Sequence, residues 1–292
     1  MRTFREAAQG EKFAITAELT LKRESIADDV IRQADILGPY VDGIQVTDNP
    51  WSWVQMSAVT AASILIHHGI DPIPILTCRD RNRIALQSDL IGLRALGVTS
   101  VLLMRGHRVP ENHVIPATTV FDTTGRELIA MASELGEDET LGPGKAFFIG
   151  TGARAFRPNR GWRAESLTER ASAGARFLQT QLCFNMDILR QFMDRFIEAK
   201  LTWNFSVMVS LSPLPSATTA RWLKKHMSDS RIPDHVIQRL EDSDDPQREG
   251  IEICAELMRE IAEIPGISGV NLMTTGNAQS IPDAIKASGL RG

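Results

Sequence analysis

Glu18 stands at the end of Phe13-Ala-Ile-Thr-Ala-Glu-Leu19, where Phe13, Ile15, Ala17 and Leu19 form one alternating set and Ala14, Thr16 and Glu18 the other. A carboxyl at such a strand end, in a recess that sheds water, has its pKa raised and suits a proton donor near neutral pH. A second chemical ending closes Ser100-Val-Leu-Leu-Met-Arg-Gly-His107. There a cation, a residue without Cβ and a titratable imidazole follow a buried run, and such groups need partners. The same alternation selects Gln45 and Thr47, Arg105, Gln179 and Gln181, Ser206 and Ser210, and Asn271 and Thr275. In a closed barrel these faces look inward. So many polar groups near strand ends describe a polar ligand pocket rather than a purely structural core.

The elements that must position these residues alternate along the chain. Strand-like segments fall at 13–19, 41–48, 71–78, 100–106, 146–152, 176–183, 204–211 and 269–275, each followed by helix-compatible sequence. Helices are expected over about 25–36 and 53–67, with a further helix start at Asp80 and a C-cap glycine at Gly97. The pattern is that of an α/β chain folded as a single (β/α)8 TIM barrel over residues 1–292. A doubly wound open sheet is the runner-up, weakened because no Gly-x-Gly-x-x-Gly follows any strand. The acidic segment 228–247 reads as a solvated excursion before a last long helix.

Composition narrows the partners. A formal charge of −4 and a pI near 5.9 supply no polybasic field, so neither nucleic acid nor an anionic membrane is an expected partner. Cys78, Cys183 and Cys254 are far apart, without metal-ligand spacing, and read as reduced thiols. No metal site is expected. No apolar run approaches a membrane span and the N-terminus lacks a signal-type segment, which makes the cytoplasm the expected location.

Ile15-Thr-Ala-Glu-Leu19, Val46-Thr-Asp-Asn49, Pro74-Ile-Leu-Thr-Cys-Arg-Asp-Arg-Asn82, Met104-Arg-Gly106, Ala173-Gly-Ala175 with Thr180-Gln181, and the region Val209 to Pro215 follow one another in order. Together they resemble the landmarks of methylenetetrahydrofolate reductase, a flavin-dependent barrel family, from about residue 11 to the end. The resemblance implies a hydride relay in which NADH or NADPH reduces bound FAD, and the flavin reduces 5,10-methylenetetrahydrofolate to 5-methyltetrahydrofolate. It implies that Glu18 is the acid that helps open the imidazolidine ring and that Gln181 contacts the tetrahydrofolate derivative. Thr47, Asp48, Thr77, Arg105 and Gly106 would lie around the cofactor.

Departures from the family pattern are as informative. His107 stands where the family carries an aspartate that tunes the flavin, so it is a candidate catalytic and cofactor-binding residue that would alter redox poise. Ile75 replaces a histidine, Thr151 takes the place of a flavin-contacting tyrosine, Ala217 that of an aromatic, and Asn277 that of a substrate-side arginine. Arg154, Arg157, Arg160 and Arg163 form a basic loop, suited to a pyrophosphate or a polyglutamate tail, or simply solvated. Trp51 and Trp53 sit on a loop where either could cover a planar ligand. Three readings follow: an NAD(P)H-dependent reductase working through FAD, a flavin-free enzyme transferring hydride directly, and a non-catalytic folate-binding barrel. Self-association into a homo-oligomer is compatible with all three.

Overall fold

The computed structural model describes residues 3–141, 146–159, 161–274 and 276–291; Arg160 and Thr275 lie outside them. Parallel strands β1 (Ala14–Glu18), β2 (Gly43–Val46), β3 (Pro72–Thr77), β4 (Ser100–Met104), β5 (Phe148–Ala153), β6 (Ala175–Leu182), β7 (Ser206–Leu211) and β8 (Ile267–Leu272) close into a barrel in sequence order. Closure is made by β1 against β8, where Thr16 pairs with Asn271. The helices are α1 (Phe4–Ala8), α2 (Ala27–Leu37), α3 (Ala58–His67), α4 (Arg83–Ala95), α5 (Gly125–Glu137) and α6 (Glu165–Ser172), then α7 (Met186–Glu198), α8 (Ala217–His226), α9 (Asp234–Asp242), α10 (Pro246–Ala262) and α11 (Ser280–Ser288). The (β/α)8 architecture expected from the alternation of elements is the one observed.

Local chemistry sets the helix starts. At α5 the Thr124 hydroxyl accepts the Glu127 N–H while the Glu127 carboxylate accepts the Thr124 N–H, and those hydrogen bonds hold the Glu127 pKa down to about 2. Along α7, Met186, Leu189, Phe192, Met193 and Phe196 are buried at helical spacing, which fixes the face it presents to the barrel.

Two apolar layers result. The larger fills the space between strands and helices and takes the outward set Ile15, Ala17, Ile44, Val46, Val101 and Leu103. The smaller lies inside the barrel and contains Ala14, Ile73, Ile75, Leu102, Phe148, Phe177 and Met208 together with Phe4, Ala7 and Ala8 of α1. Helix α1 thus stoppers the N-terminal end of the barrel. The Phe4 ring centre lies 5.1 Å from that of Phe177 and 5.8 Å from that of Phe148, and burying this one side chain contributes about 2 kcal/mol. The buried Phe4 N–H and the Thr99 hydroxyl both donate to the Asp71 carboxylate. Gly150 makes room for the stopper, since a Cβ there would lie 2.1 Å from the Phe177 ring.

Three expectations are corrected. The helix expected at Asp80 begins after Asn82, whose side chain accepts the Ala85 N–H, because Asp80 is engaged by the Arg79 guanidinium instead. Segment 228–247 is largely helical: Val236, Ile237 and Leu240 bury one face of α9, and Asp245 caps α10. In β4 the inward residues are the apolar Leu102 and Met104. Arg105 therefore does not enter the barrel; it is exposed, with its guanidinium 4.1 Å from the centre of the Phe121 ring.

Candidate active site

The inward residues of the upper barrel are polar on strands 6, 7, 8, 1 and 2. Gln45 and Gln179, from opposite strands, exchange hydrogen bonds across the barrel, with Gln179 Nε2 3.0 Å from Gln45 Oε1 and Gln45 Nε2 donating in return. This amide pair spans the barrel above the phenylalanine cluster and forms a floor. Beside it the Thr16 hydroxyl donates to Asn271 Oδ1 at 2.8 Å. The Asn271 Nδ2 and the neighbouring Ser210 Oγ are buried and have no hydrogen-bond partner among the described residues. Unpaired buried polar atoms are costly, and here they sit together on paired positions of β7 and β8.

Glu18 stands one inward step above Thr16, at the mouth. Its half-buried carboxyl has no hydrogen bond or ion pair among the described residues, and loss of water around it pushes its pKa up to about 7. A carboxylic acid of that strength is half protonated at neutral pH, as a proton donor to substrate should be. Gln181, also half-buried and just past a register irregularity in β6, makes no hydrogen bond among the described residues. Its amide has both donor and acceptor unengaged there.

The β2–β4 side of the mouth is built differently. Asp48 is buried and saturated: its carboxylate accepts the Thr77 N–H and hydroxyl, at 2.9 and 2.8 Å, and two hydrogen bonds from Arg81, each 2.8 Å. Arg79, also buried, is paired with Asp80 and donates to the backbone of Asp48 and Asn49. Thr47 accepts from the Gln55 amide at 3.0 Å. Gly106 has φ +81°, and a Cβ there would lie 3.1 Å from Thr77 Cβ and 3.2 Å from Arg79 Cβ, so glycine is required by conformation and by space. His107 is exposed at the start of the long connection to α5.

Thr151 alternates with the inward Gly150 and Gly152, so its side chain faces the helix layer, and its hydroxyl accepts from Arg170 at 3.3 Å. Asn277 is exposed in the turn before α11; its Oδ1 accepts the Gln279 N–H and its carbonyl accepts the Ser280 hydroxyl. It borders a cleft of about 200 Å³ with Pro213, Pro215, Gln247, Thr274, Gly276 and Ser280. A larger recess of about 470 Å³ lies between α8 and α9, away from the mouth.

The seven residues expected to hold a flavin therefore do not assemble around one space. Thr47, Thr77, Gly106 and His107 lie at the mouth, whereas Asp48 is fully engaged, Arg105 lies on Phe121 and Thr151 faces α6. Gly106, read as an open approach for a flat ring, has its Cβ direction filled by Thr77 and Arg79. Asp48, Arg105 and Thr151 thus do not fit the flavin site that the resemblance implies. One residue escaped notice in the sequence: Arg170, a partly buried cation whose hydrogen bonds go to the Gly152 carbonyl and to two hydroxyls rather than to a carboxylate. Its position on α6, among charged surface residues, gave no signal.

A family profile described as methylenetetrahydrofolate reductase matches residues 3–289. The chain belongs to the methylenetetrahydrofolate reductase family. A Caenorhabditis elegans relative described as "Probable methylenetetrahydrofolate reductase (NADPH)" is 27% identical over 245 residues, covering 81% of this chain and 35% of the relative. The chain thus spans about a third of that protein's length. Among solved structures, an "Uncharacterized protein from Clostridium thermocellum" that "binds two copies of 5-methyl-5,6,7,8-tetrahydrofolic acid" superposes with a TM-score of 0.62 at 14% identity, over 97% of this chain and 96% of that one. A Yersinia pestis DHPS with a pterine-sulfa conjugate gives 0.52 at 10% identity, over 95% and 93%. At these identities the two structures share the fold with this family member and nothing more. Among the described residues no helix is long and apolar enough to cross a membrane.

Proposed function

We propose that the chain reduces 5,10-methylenetetrahydrofolate to 5-methyltetrahydrofolate, with NADH or NADPH as the source of hydride. Glu18 carries this reading: a carboxyl with a pKa near 7 stands over a polar floor in a member of this family. Its proton passes to N10 as the bond between N10 and the methylene carbon breaks, the electron pair staying on nitrogen. The methylene carbon is left as an iminium on N5, and hydride from the nicotinamide adds to it. The folate carbon is reduced and the nicotinamide oxidised, and the carboxylate regains a proton from water at the mouth. Gln181, with a donor and an acceptor unengaged among the described residues, would meet the pterin edge.

FAD, when bound, would supply a hydride relay between nicotinamide and folate. Direct transfer is the reading favoured by the placement of Asp48, Arg105 and Thr151. A folate-binding barrel without turnover is the remaining reading, supported by the ligand of the Clostridium thermocellum protein of the same fold. The test is the visible spectrum of the purified protein, before and after incubation with FAD, together with oxidation of NADH and NADPH in the presence of methylenetetrahydrofolate. Colourless protein that oxidises the nicotinamide supports direct transfer. Retained flavin absorption overturns direct transfer and restores the relay; colourless protein that binds folate without oxidising either nucleotide overturns the enzyme.

A further inference from the structure

Two loops of the rim have features that the proposed reaction leaves unused. After β2 the chain passes through Asn49, Trp51 and Ser52 with φ of 46°, 56° and 65°. Left-handed backbone at three non-glycine residues within four positions is strained, and such strain clusters where a protein holds ligands. Its effect here is to hold two indoles outward: Trp51 is 56% and Trp53 59% exposed. Facing them, in the connection between β4 and α5, the His113 ring lies 5.4 Å from the Trp53 ring, inclined at 59°. The His113 Nδ1 lies 3.2 Å from both the backbone nitrogen and the carbonyl oxygen of Ile115, which anchors the ring beside Trp53. Exposed Val54, Val114, Ile115 and Val120 lie on the same two loops.

Flat, exposed apolar surface of this kind suits a flat heterocycle. Reduction of folate by nicotinamide brings two planar molecules face to face over one carbon. The unengaged polar groups, Glu18, Gln181, Ser210 and Asn271, are on strands 1, 6, 7 and 8 and serve the folate. Trp53 and His113 rise from strands 2 and 4, the other half of the mouth, and from its outer rim. A dinucleotide carries its two rings at opposite ends. With the nicotinamide over the folate carbon, the adenine falls outward.

We propose that Trp53 and His113 hold the adenine ring of the nicotinamide dinucleotide by stacking. This rests on the reading that a nicotinamide dinucleotide is the hydride donor. The test compares dissociation constants of NADH and of reduced nicotinamide mononucleotide, which lacks adenosine, for the unmodified chain, Trp53→Ala, Trp53→Phe and His113→Ala. Binding is read from quenching of tryptophan fluorescence. Stacking of a base on an aromatic ring predicts that Trp53→Ala weakens NADH about tenfold or more. The mononucleotide and the KM for methylenetetrahydrofolate should be unmoved, and Trp53→Phe should recover most of the loss. Trp203→Ala, an 81% exposed indole before β7 at the opposite end of the barrel, is the control for folding and for fluorescence. Equal losses for NADH and the mononucleotide, or a raised folate KM with NADH binding intact, would overturn the adenine assignment while leaving the reductase standing. Failure of the unmodified chain to bind any nicotinamide nucleotide overturns both.

Discussion

Replacing Glu18 by glutamine should abolish turnover and, at alkaline pH, make the protein more stable. A carboxyl raised from 4.5 to about 7 is one whose ionised form the folded state disfavours. Its unfolded counterpart ionises near 4.5, so the folded state binds more protons between these values and stability falls as pH rises through them. Below about pH 4.5 there is no penalty; above about pH 7 it is complete. At about 1.36 kcal/mol per pH unit the ceiling is about 3.4 kcal/mol. Water still reaches the half-buried side chain, so about 2 kcal/mol is expected. Urea unfolding of both proteins at about pH 4.5 and about pH 8.5 measures it, because all other titrating groups cancel in the difference. The variant should gain about 2 kcal/mol on the unmodified protein between the two conditions. Parallel stability curves would refute the desolvated carboxyl, and with it the claim that burial prepares Glu18 as an acid. In the unmodified enzyme kcat should decline on the alkaline side with an apparent pKa near 7.

Other parts of the site make their own predictions. Gln45→Leu leaves the Gln179 amide buried and unpaired, at a cost of about 1–3 kcal/mol by urea unfolding, and the double change Gln45→Leu, Gln179→Leu should cost less than the sum of the two single ones. Asp48→Asn removes one of the two carboxylates paired with Arg81, leaving Asp89, and should lower stability by about 1–3 kcal/mol, measured in the same way. Gly150→Ala drives a methyl group into the Phe177 ring and should lower the melting temperature through a loss of about 1–3 kcal/mol or more.

The barrel was legible in the sequence because each strand is a short apolar run closed by turn residues, and a run buried on both faces keeps that signature wherever it packs. Glu18, Gln45, Gln179, Ser210 and Asn271 were legible by alternation, since a polar residue stands out against apolar neighbours. Arg105 misled for the same reason: in β4 the inward residues, Leu102 and Met104, are as apolar as the outward ones, and the strand ends before the arginine is reached. Thr151 sits between two inward glycines, which give alternation nothing to register. The network of Asp48, Thr77, Arg79, Asp80 and Arg81 joins two loops that approach only because β2 and β3 are neighbours, and no spacing announces it. Helix α9 was hidden because its acidic flank suggested solvent while Val236, Ile237 and Leu240 were already at helical spacing.

The stoppered lower end of the barrel also governs traffic. With Phe4, Phe148 and Phe177 packed below and the Gln45 to Gln179 bridge above them, the interior is closed at its lower end, which leaves the opposite end for both reactants of the proposed reaction. In the proposed reaction the reactant nearer the floor would be the last to leave.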